Sequence, residues 1–526
     1  MLSINEIIHS VSEIHGEYTE CYNPNPQWSD GGKISAIVGM TAYMIFIMVA
    51  PWDFGMRKCM KRLSSVEPWR GKHEFKCVHG LKVISMSVLI AASSFGALLV
   101  HRPNNFIEAN KYMIKDQPWL ILLANPTYMI DTFFVIGGFL TGYHFTRKAQ
   151  ESNRGFFARL YNSFAMRFLR YAPTINTWIF VGLWCFARND ESETKGEPIY
   201  TTGLLGSISG IFRRCEGTYW KMSFFLSWTD QNNECLPHLW YISSDFYYYL
   251  ASSVICIFLL KNQKLTRIIV GFLMLGSITI TACLSPALHL YFPFLKAPLG
   301  QSNINCPGDY CDVKQNQTEW WQDIERKPWT RLVPYFIGVL DGSAMITGSW
   351  LLTKERTFVK KFDGKLRKIL TTFVMLSVMF AIWCFPLLAI YSTSSWHVPV
   401  WISTLNDTLS RPLWGFCIIW IILLCETGNG WYIGSFLRSK WWLIPSRVTF
   451  GVFLTHTVVI LRILNAAFPK AYTFTWGLGV LVSLYSIVAC FITGILFEIF
   501  IENPVRELIL LCRRWLHKLP CCKSTN

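Results

Sequence analysis

The chain has 526 residues, of which 52% are apolar and 16% aromatic, while only 16% are charged. Soluble domains carry about 25% charged residues, so this composition excludes an ordinary soluble protein and favours a membrane protein. The net charge of +16 lies in clusters between apolar stretches, where it marks cytosolic loops and meets membrane lipid headgroups, so we do not expect nucleic-acid binding.

Apolar stretches recur along the whole sequence. A helix needs roughly 20 apolar residues to cross the hydrocarbon core of a bilayer, and many windows meet that requirement. The sequence therefore predicts an all-α fold, a polytopic transmembrane helical bundle of about 11 spans. The predicted spans lie near residues 34–51, 82–100, 119–145, 173–188, 239–260, 268–292, 332–352, 369–391, 411–427, 448–464 and 475–500.

The ends of the chain predict its orientation. The segment 1–33 is acidic and lacks the charged-then-apolar pattern of a signal peptide, whereas the loop 52–76 after the first span (34–51) is strongly basic. These features place the N-terminus in the lumen. An odd number of spans then makes the basic tail 506–526 cytosolic, with a multi-span domain over 77–505. We expect a multi-pass protein of the endoplasmic reticulum or the plasma membrane.

Two kinds of lumenal feature agree with this orientation. Sequons for N-glycosylation and closely spaced cysteines both fall in loops assigned to the lumen, where oxidising conditions favour disulfides. The predicted glycosylation sites are Asn316 and Asn406, and the predicted disulfide cysteines are Cys215 with Cys235 and Cys306 with Cys311. No metal-binding spacing, phosphate-binding glycine loop or nucleophile elbow is present in the sequence.

Ionisable residues inside the predicted spans are candidates for a functional site, because charge is costly in lipid. Asp131 lies in MIDTFFVIGGFL, Asp245 in HLWYISSDFYYYL and His456 in SRVTFGVFLTH. The motif around Asp245 also contains His238, Trp240 and Tyr241. The alternative is that these residues pair with one another, or with nearby arginines, and hold the bundle together.

Two arginines lie at the cytosolic mouth of the predicted fourth span. The motif MRFLRYAP places Arg167 and Arg170 three residues apart on one face of a helix. A guanidinium group suits phosphate recognition, so these arginines are candidates to bind a phosphate-rich ligand from the cytosolic side. The alternative is ordinary anchoring by positive charge, and composition does not decide between the two.

Eight motifs in a fixed order resemble the acyltransferase 3 family, in its animal branch of nose resistant to fluoxetine-type proteins. From about Cys77 to Glu507 they read CVHGLKVISM with HRPNNF, MIDTFFVIGGFL, MRFLRYAP, CLPHLWYISSDFYYYL, RLVPYFIGVLDG, RPLWGF, SRVTFGVFLTH and FEIFIENPVRELI. The resemblance implies transfer of an acyl group from cytosolic acyl-coenzyme A to a hydroxyl acceptor. It also implies a larger lumenal domain before the first span, where about 33 residues stand here.

The chain departs from the pattern of this family at two positions. The resemblance implies an arginine that helps to place the donor and, eleven residues later, a histidine that acts as general base; aligned on GLKVISM, these positions are Lys82 and Ser93. A serine hydroxyl does not accept a proton at neutral pH, and lysine lacks the bidentate fork of arginine.

Three interpretations follow from this departure. A neighbouring histidine (His101, His238 or His456) replaces the base, or Ser93 becomes a nucleophile that carries the acyl group. In the third, the chemistry is lost and the chain binds or moves a lipid or a drug-like molecule.

The leading hypothesis is a membrane-embedded O-acyltransferase that uses acyl-coenzyme A as a donor substrate, without a bound cofactor or metal. The alternative is a catalytically silent relative that acts in lipid or small-molecule transport or uptake. The predicted catalytic positions are Ser93, Lys82, Asp131 and His456, and the predicted substrate-binding residues are Arg167, Arg170, His238, Trp240, Tyr241 and Asp245.

Ser93→His tests the departure directly. If the site is otherwise intact, restoring the base is expected to raise coenzyme A release from labelled acyl-coenzyme A by about 100-fold. The assay uses protein purified in lipid, with Ser93→Ala in parallel. An unchanged rate would contradict the idea that only the base is missing.

Overall fold

The computed structural model describes residues 75–100, 103–105, 127–151, 155–183, 208–229, 235–288, 321–347, 365–384, 400–426, 431–468 and 472–518. Within these ranges the regular secondary structure is helical, with short turns between the helices and one isolated bridge between Pro103 and Tyr472. The predicted N-terminal tail, the first span and nearly all of the basic loop lie outside the described residues. So do Cys306, Cys311 and Asn316.

The helices are numbered here in chain order. They are α1 (Lys76–Val100), α2 (Thr127–Glu151), α3 (Phe156–Gly182), α4 (Ile208–Arg213), α5 (Tyr219–Ser223), α6 (Trp240–Lys261), α7 (Gln263–Ala287), α8 (Leu332–Thr347), α9 (Lys365–Cys384), α10 (Val400–Glu426), α11 (Trp431–Leu437), α12 (Leu443–Ala467), α13 (Trp476–Phe497) and α14 (Asn503–Lys518). Short 3₁₀ turns cover Ser227–Thr229, Pro237–Leu239 and Lys440–Trp442, and π-type turns cover Trp321–Glu325 and Glu498–Glu502.

A helix occurs at every predicted span that falls within the described residues, so the all-α prediction is confirmed for them. Among the described residues, five helical stretches are long and apolar enough to cross a membrane: Lys76–Leu98, Gln263–Ala287, Trp401–Glu426, Lys440–Ala467 and Trp476–Leu511. The total of about 11 spans and the orientation of the two termini stay predictions.

Two helices begin well before the predicted spans. Helix α3 begins at Phe156, although the predicted fourth span begins near residue 173. The preceding stretch is amphipathic, and its arginines make it too polar to be recognised as a span. Helix α10 begins at Val400 and continues through Pro412, so the predicted lumenal loop around Asn406 is wrong.

Asn406 lies inside the helical bundle. Its side chain is buried, and its oxygen accepts a hydrogen bond from the Tyr128 hydroxyl at 3.2 Å. A glycan needs an asparagine exposed at the surface, so the predicted glycosylation of Asn406 does not fit this fold. The next residue, Asp407, likewise faces a neighbouring helix, where it accepts a hydrogen bond from Ser285 at 3.4 Å.

Helices α2 and α8 pack backbone to backbone. Gly138 and Gly142 of α2 face α8, and Gly338 and Gly342 of α8 face α2. A methyl group on any of the four would overlap a backbone carbonyl oxygen of the opposite helix. Small residues spaced four apart are the usual means by which membrane helices approach closely.

Helix α1 packs against α2, α12 and α13. It runs in the same direction as α12, because His79 contacts Ser446 near the start of both helices. Near their ends, the hydroxyl of Tyr472, which follows α12, donates a hydrogen bond to the Leu98 carbonyl. This parallel pairing allows residues on the two helices to be matched by depth.

The outer faces of two helices are apolar. Large side chains remain exposed along α7 at Leu265, Ile268, Ile269, Phe272 and Leu273. The same is true along α13 at Leu481, Leu484, Tyr485, Val488 and Ile492. Apolar patches of this extent mark contact with lipid or with another apolar surface.

A disulfide joins Cys215 to Cys235, as the sequence predicts. It ties the segment of α4 and α5 to the turn that precedes α6. In this turn Leu236 is buried and has a φ of +49°, a left-handed conformation that residues other than glycine rarely adopt. Pro237 follows and begins the short 3₁₀ turn that leads into α6.

Gly138→Ala is expected to lower the free energy of unfolding by about 1–3 kcal/mol, because its methyl group displaces the α8 backbone. Thermal unfolding of the purified protein in detergent measures the effect. Gly96→Ala is the matched control, since nothing lies within 4 Å of the position that its Cβ would occupy. Equal losses in the two variants would contradict the close packing of α2 and α8.

Candidate functional site

Two histidines that are distant in sequence meet in the bundle. His238, in the turn before α6, and His456, in α12, have ring centroids 5.1 Å apart. The Thr457 hydroxyl lies 3.3 Å from His238 Nδ1 and 3.4 Å from His456 Nε2. His456 is buried and His238 is half-buried. The structure therefore brings together one predicted catalytic residue and one predicted substrate-binding residue.

Hydrogen bonds to backbone carbonyls define which ring nitrogens of this histidine pair carry hydrogen. His456 Nδ1 lies 2.7 Å from the Phe453 carbonyl, and His238 Nε2 lies 3.3 Å from the Leu454 carbonyl. A carbonyl only accepts, so these two nitrogens carry hydrogen and the opposite ring nitrogens hold lone pairs in the neutral form. Thr457 has one hydroxyl proton to donate. At least one imidazole lone pair therefore receives no proton from Thr457.

Three elements position His238. The disulfide anchors Cys235, the left-handed Leu236 reverses the chain, and Pro237 begins the turn that points His238 towards α12. The ring then packs edge-on against Phe453, with centroids 5.6 Å apart. Phe453 and His456 lie three residues apart on α12, so His238 contacts a single face of this helix.

The positions at which the resemblance implies catalytic residues, Lys82 and Ser93, lie on α1, next to α12. Ser93 and Lys82 are both half-buried, whereas the neighbouring Ser94 is buried and donates to the Ile90 carbonyl of its own helix at 2.7 Å. His79 and Ser446 are at one depth, and ten residues further along each helix lie Leu89 and His456. Ser93 is therefore about one helical turn, roughly 5–6 Å along the axis, from the depth of His456.

The two arginines of the MRFLRYAP motif have different surroundings. Arg167 forms an ion pair with the buried Asp245, which also accepts a hydrogen bond from the Tyr171 hydroxyl at 3.1 Å. The Arg167 guanidinium lies over the Tyr249 ring, 4.5 Å from its centroid. Arg170 is exposed. The sequence predicts that both arginines bind phosphate as a pair. Arg167 is engaged by Asp245, and Arg170 is the one of the two that is exposed to a ligand.

Four buried charges form a continuous chain of ion pairs. Arg331 Nη2 lies 3.1 Å from Asp131, and Arg331 Nη1 lies 2.5 Å from Glu325. The other Glu325 oxygen lies 2.9 Å from Arg411. The relative exposure of these residues is 0–3%. The Trp240 ring lies beside Arg331, with the guanidinium carbon 5.1 Å from its centroid.

Arg331 stays charged in this chain. Burial by itself lowers the pKa of its guanidinium, but the carboxylates of Asp131 and Glu325 outweigh burial and raise the pKa above its ordinary value. Asp131 therefore has a structural partner, and its predicted place at the catalytic centre is not supported by these contacts. The alternative in which the ionisable residues hold the bundle together describes it better.

The remaining predicted residues are aromatic and link the two regions. Trp240 contacts the ion chain through Arg331, while Tyr241 packs against Phe453 of α12 at 5.2 Å and against Phe134 of α2 at 4.7 Å between ring centroids. These side chains form the wall between the histidine pair and the buried charges.

Sequence reasoning missed Thr457, Glu325 and Arg411. Thr457 follows the last residue of a recognised motif, and Arg411 begins the motif RPLWGF, so both had a signal close at hand. Glu325 lies in a short π-type turn before α8, where no apolar pattern marks it as buried. Its role follows only from the two arginines that meet there.

The apolar helices and the paired polar groups between them are those of an integral membrane protein. A family model described as an acyltransferase domain matches residues 75–495, and the chain belongs to this family, acyltransferase 3.

Two proteins of Caenorhabditis elegans are similar to it. "Nose resistant to fluoxetine protein 6" is 20% identical over 84% of this chain and 51% of its own length, so the chain spans about half of that relative. "Regulator of hypoxia-inducible factor 1" is 20% identical over 76% of this chain and 73% of its own length. No solved structure matches the chain.

Arg331→Met is expected to lower the free energy of unfolding by about 3–5 kcal/mol, because it leaves Asp131 buried without a counter-charge. Combining it with Asp131→Asn removes that charge and leaves Glu325 paired with Arg411. The double variant should therefore unfold at a higher temperature than Arg331→Met alone, by thermal unfolding in detergent. Additive losses would show that the two residues are not coupled.

Proposed function

We propose that the chain is a membrane-embedded O-acyltransferase that transfers an acyl group from acyl-coenzyme A to a hydroxyl group of a lipid or small molecule. In this proposal the pair of His238 and His456 supplies the base that the family carries at the position of Ser93. The observation that carries it is the contact between the two rings, about one helical turn from the depth of Ser93.

The pair has the chemistry that a general base requires. His456 Nδ1 donates to the Phe453 carbonyl, so its Nε2 holds the lone pair that accepts the proton of the acceptor hydroxyl. The hydroxyl oxygen attacks the thioester carbonyl, the carbon–sulfur bond breaks, and the coenzyme A thiolate takes the proton from His456. His238 lies next to His456 through Thr457 and orients its ring.

Donor binding is assigned to the end of the bundle that is predicted to be cytosolic, away from the histidine pair. Lys82 lies near the start of α1, on the side predicted to be cytosolic, and Arg170 is exposed near the predicted mouth of the fourth span. Because Arg167 is engaged by Asp245, we assign phosphate contact to Arg170 rather than to the pair.

A second candidate function is supported by the sequence of α1. Lys82 and Ser93 both replace the residues that the family pattern requires, which favours a catalytically silent relative that binds or moves a lipid or small molecule. The name of one relative, "Nose resistant to fluoxetine protein 6", refers to resistance to a small organic molecule. In this candidate the histidine pair is a packing contact between α6 and α12.

Replacement of His456 separates the two functions. His456→Gln is expected to lower coenzyme A release by about 100-fold or more, because glutamine does not accept a proton at neutral pH. Purified protein in lipid, supplied with labelled acyl-coenzyme A and a mixture of hydroxyl-bearing lipids, provides the measurement. The control is His144→Gln, which alters a histidine exposed on α2.

Release by the native protein, above a protein-free control, together with loss in His456→Gln alone, supports the acyltransferase. No release by the native protein would contradict it and favour the silent relative. Equal release by the native protein and His456→Gln would retain the enzyme but exclude His456 as its base.

A further inference from the structure

A third histidine contacts a serine near the start of α12. His79 Nδ1, in the first turns of α1, lies 2.6 Å from Ser446 Oγ, in the first turns of α12. Ser446 is 8% exposed and His79 is half-buried. A serine hydroxyl in such a contact with an imidazole is the arrangement of an activated nucleophile and its base.

The hydroxyl proton of Ser446 has two acceptors within reach. Ser446 Oγ lies 2.9 Å from the Leu443 carbonyl and 2.6 Å from His79 Nδ1. If the proton points to the Leu443 carbonyl, His79 Nδ1 carries hydrogen and donates it to Ser446 Oγ, and the contact is a structural link. If it points to His79, the imidazole accepts it and Ser446 becomes nucleophilic. The shorter of the two distances is the one to His79.

The surroundings suit a phosphate-rich thioester. Lys82 lies one turn beyond His79 on α1, Arg447 follows Ser446 on α12, and Lys440 lies in the 3₁₀ turn that precedes α12. This end of both helices is the one that the basic residues predict to be cytosolic, where acyl-coenzyme A is present. Ser446 and His456 are ten residues apart on α12, about 15 Å along its axis, so the two histidine sites are separate.

We propose that Ser446 and His79 form a second acyl-accepting site, in which Ser446 takes the acyl group of acyl-coenzyme A as an oxygen ester. Ser446 Oγ attacks the thioester carbonyl carbon while its proton passes to His79 Nδ1. The carbon–sulfur bond breaks, and the coenzyme A thiolate takes the proton from His79 and leaves as the free thiol. The choice of acyl-coenzyme A as the acyl donor rests on the proposed function, whereas the activation of Ser446 by His79 does not.

A fluorophosphonate probe tests the activation without any acyl donor. The full-length protein in lipid is treated with the probe, and the labelled residue is identified by mass spectrometry. We expect labelling of Ser446 in the native protein, its loss in Ser446→Ala and a decrease of about 100-fold in His79→Gln. Ser94→Ala is the matched control, because the hydroxyl of that buried serine donates to the Ile90 carbonyl of its own helix at 2.7 Å.

Thermal unfolding of each variant establishes that it is folded. Labelling that persists in Ser446→Ala, or that is equal in the native protein and in folded His79→Gln, would overturn the proposal and identify the contact as a structural link.

An alkyne-tagged acyl-coenzyme A then tests the acyl step. We expect a tag on Ser446 that survives neutral hydroxylamine, since an oxygen ester is stable where a cysteine thioester is cleaved. Coenzyme A release without a tag or probe on Ser446 overturns this proposal and leaves the proposed function intact. A probe on Ser446 without coenzyme A release supports the activated serine and counts against acyl-coenzyme A as the donor.

Discussion

The buried chain of Asp131, Arg331, Glu325 and Arg411 constrains the rest of the bundle. A charge inside a low-dielectric interior is tolerated only when it is paired, and this chain contains two acids and two bases, so its formal charge sums to zero. Its members belong to α2, to the segment before α8 and to α10, which places these three elements at one depth. The glycine contacts between α2 and α8 continue the same alignment along their length.

The histidine pair depends on that alignment through Trp240. This residue contacts Arg331 at the first position of α6, and His238 lies two residues before it. The start of α6 is thereby held against the ion chain from one side and by the disulfide of Cys235 from the other. Both constraints act on the short turn that carries His238 to α12. The position of His238 in the bundle is thus maintained by contacts that residues two and three positions away from it make.

Several residues stand out in the sequence by their chemistry, and the structure gives them partners that the sequence does not show. Asp131 stood out as a charge within an apolar span, but its contact is the buried Arg331, which locks helices together. Arg167 and Arg170 share a helix face by spacing, yet Arg167 pairs with Asp245 and Arg170 is exposed. Asn406 fits the glycosylation sequon, but helix formation through Pro412 buries it against Tyr128. A local sequence motif identifies such residues by their side-chain chemistry, but it contains no information about the residues that they contact in the fold.

The sequence by itself determined the helical membrane character of the chain, the positions of most helices and the resemblance to the acyltransferase 3 family. Each of these follows from composition or from short motifs, since apolar length and residue spacing are local properties. Only the tertiary structure decided which charges pair and which histidines meet. Asp131 and Arg331 are 200 residues apart, and Thr457 and His238 are 219 apart. Such pairings depend on how the helices pack, and helix packing is a property of the whole bundle that no single motif encodes.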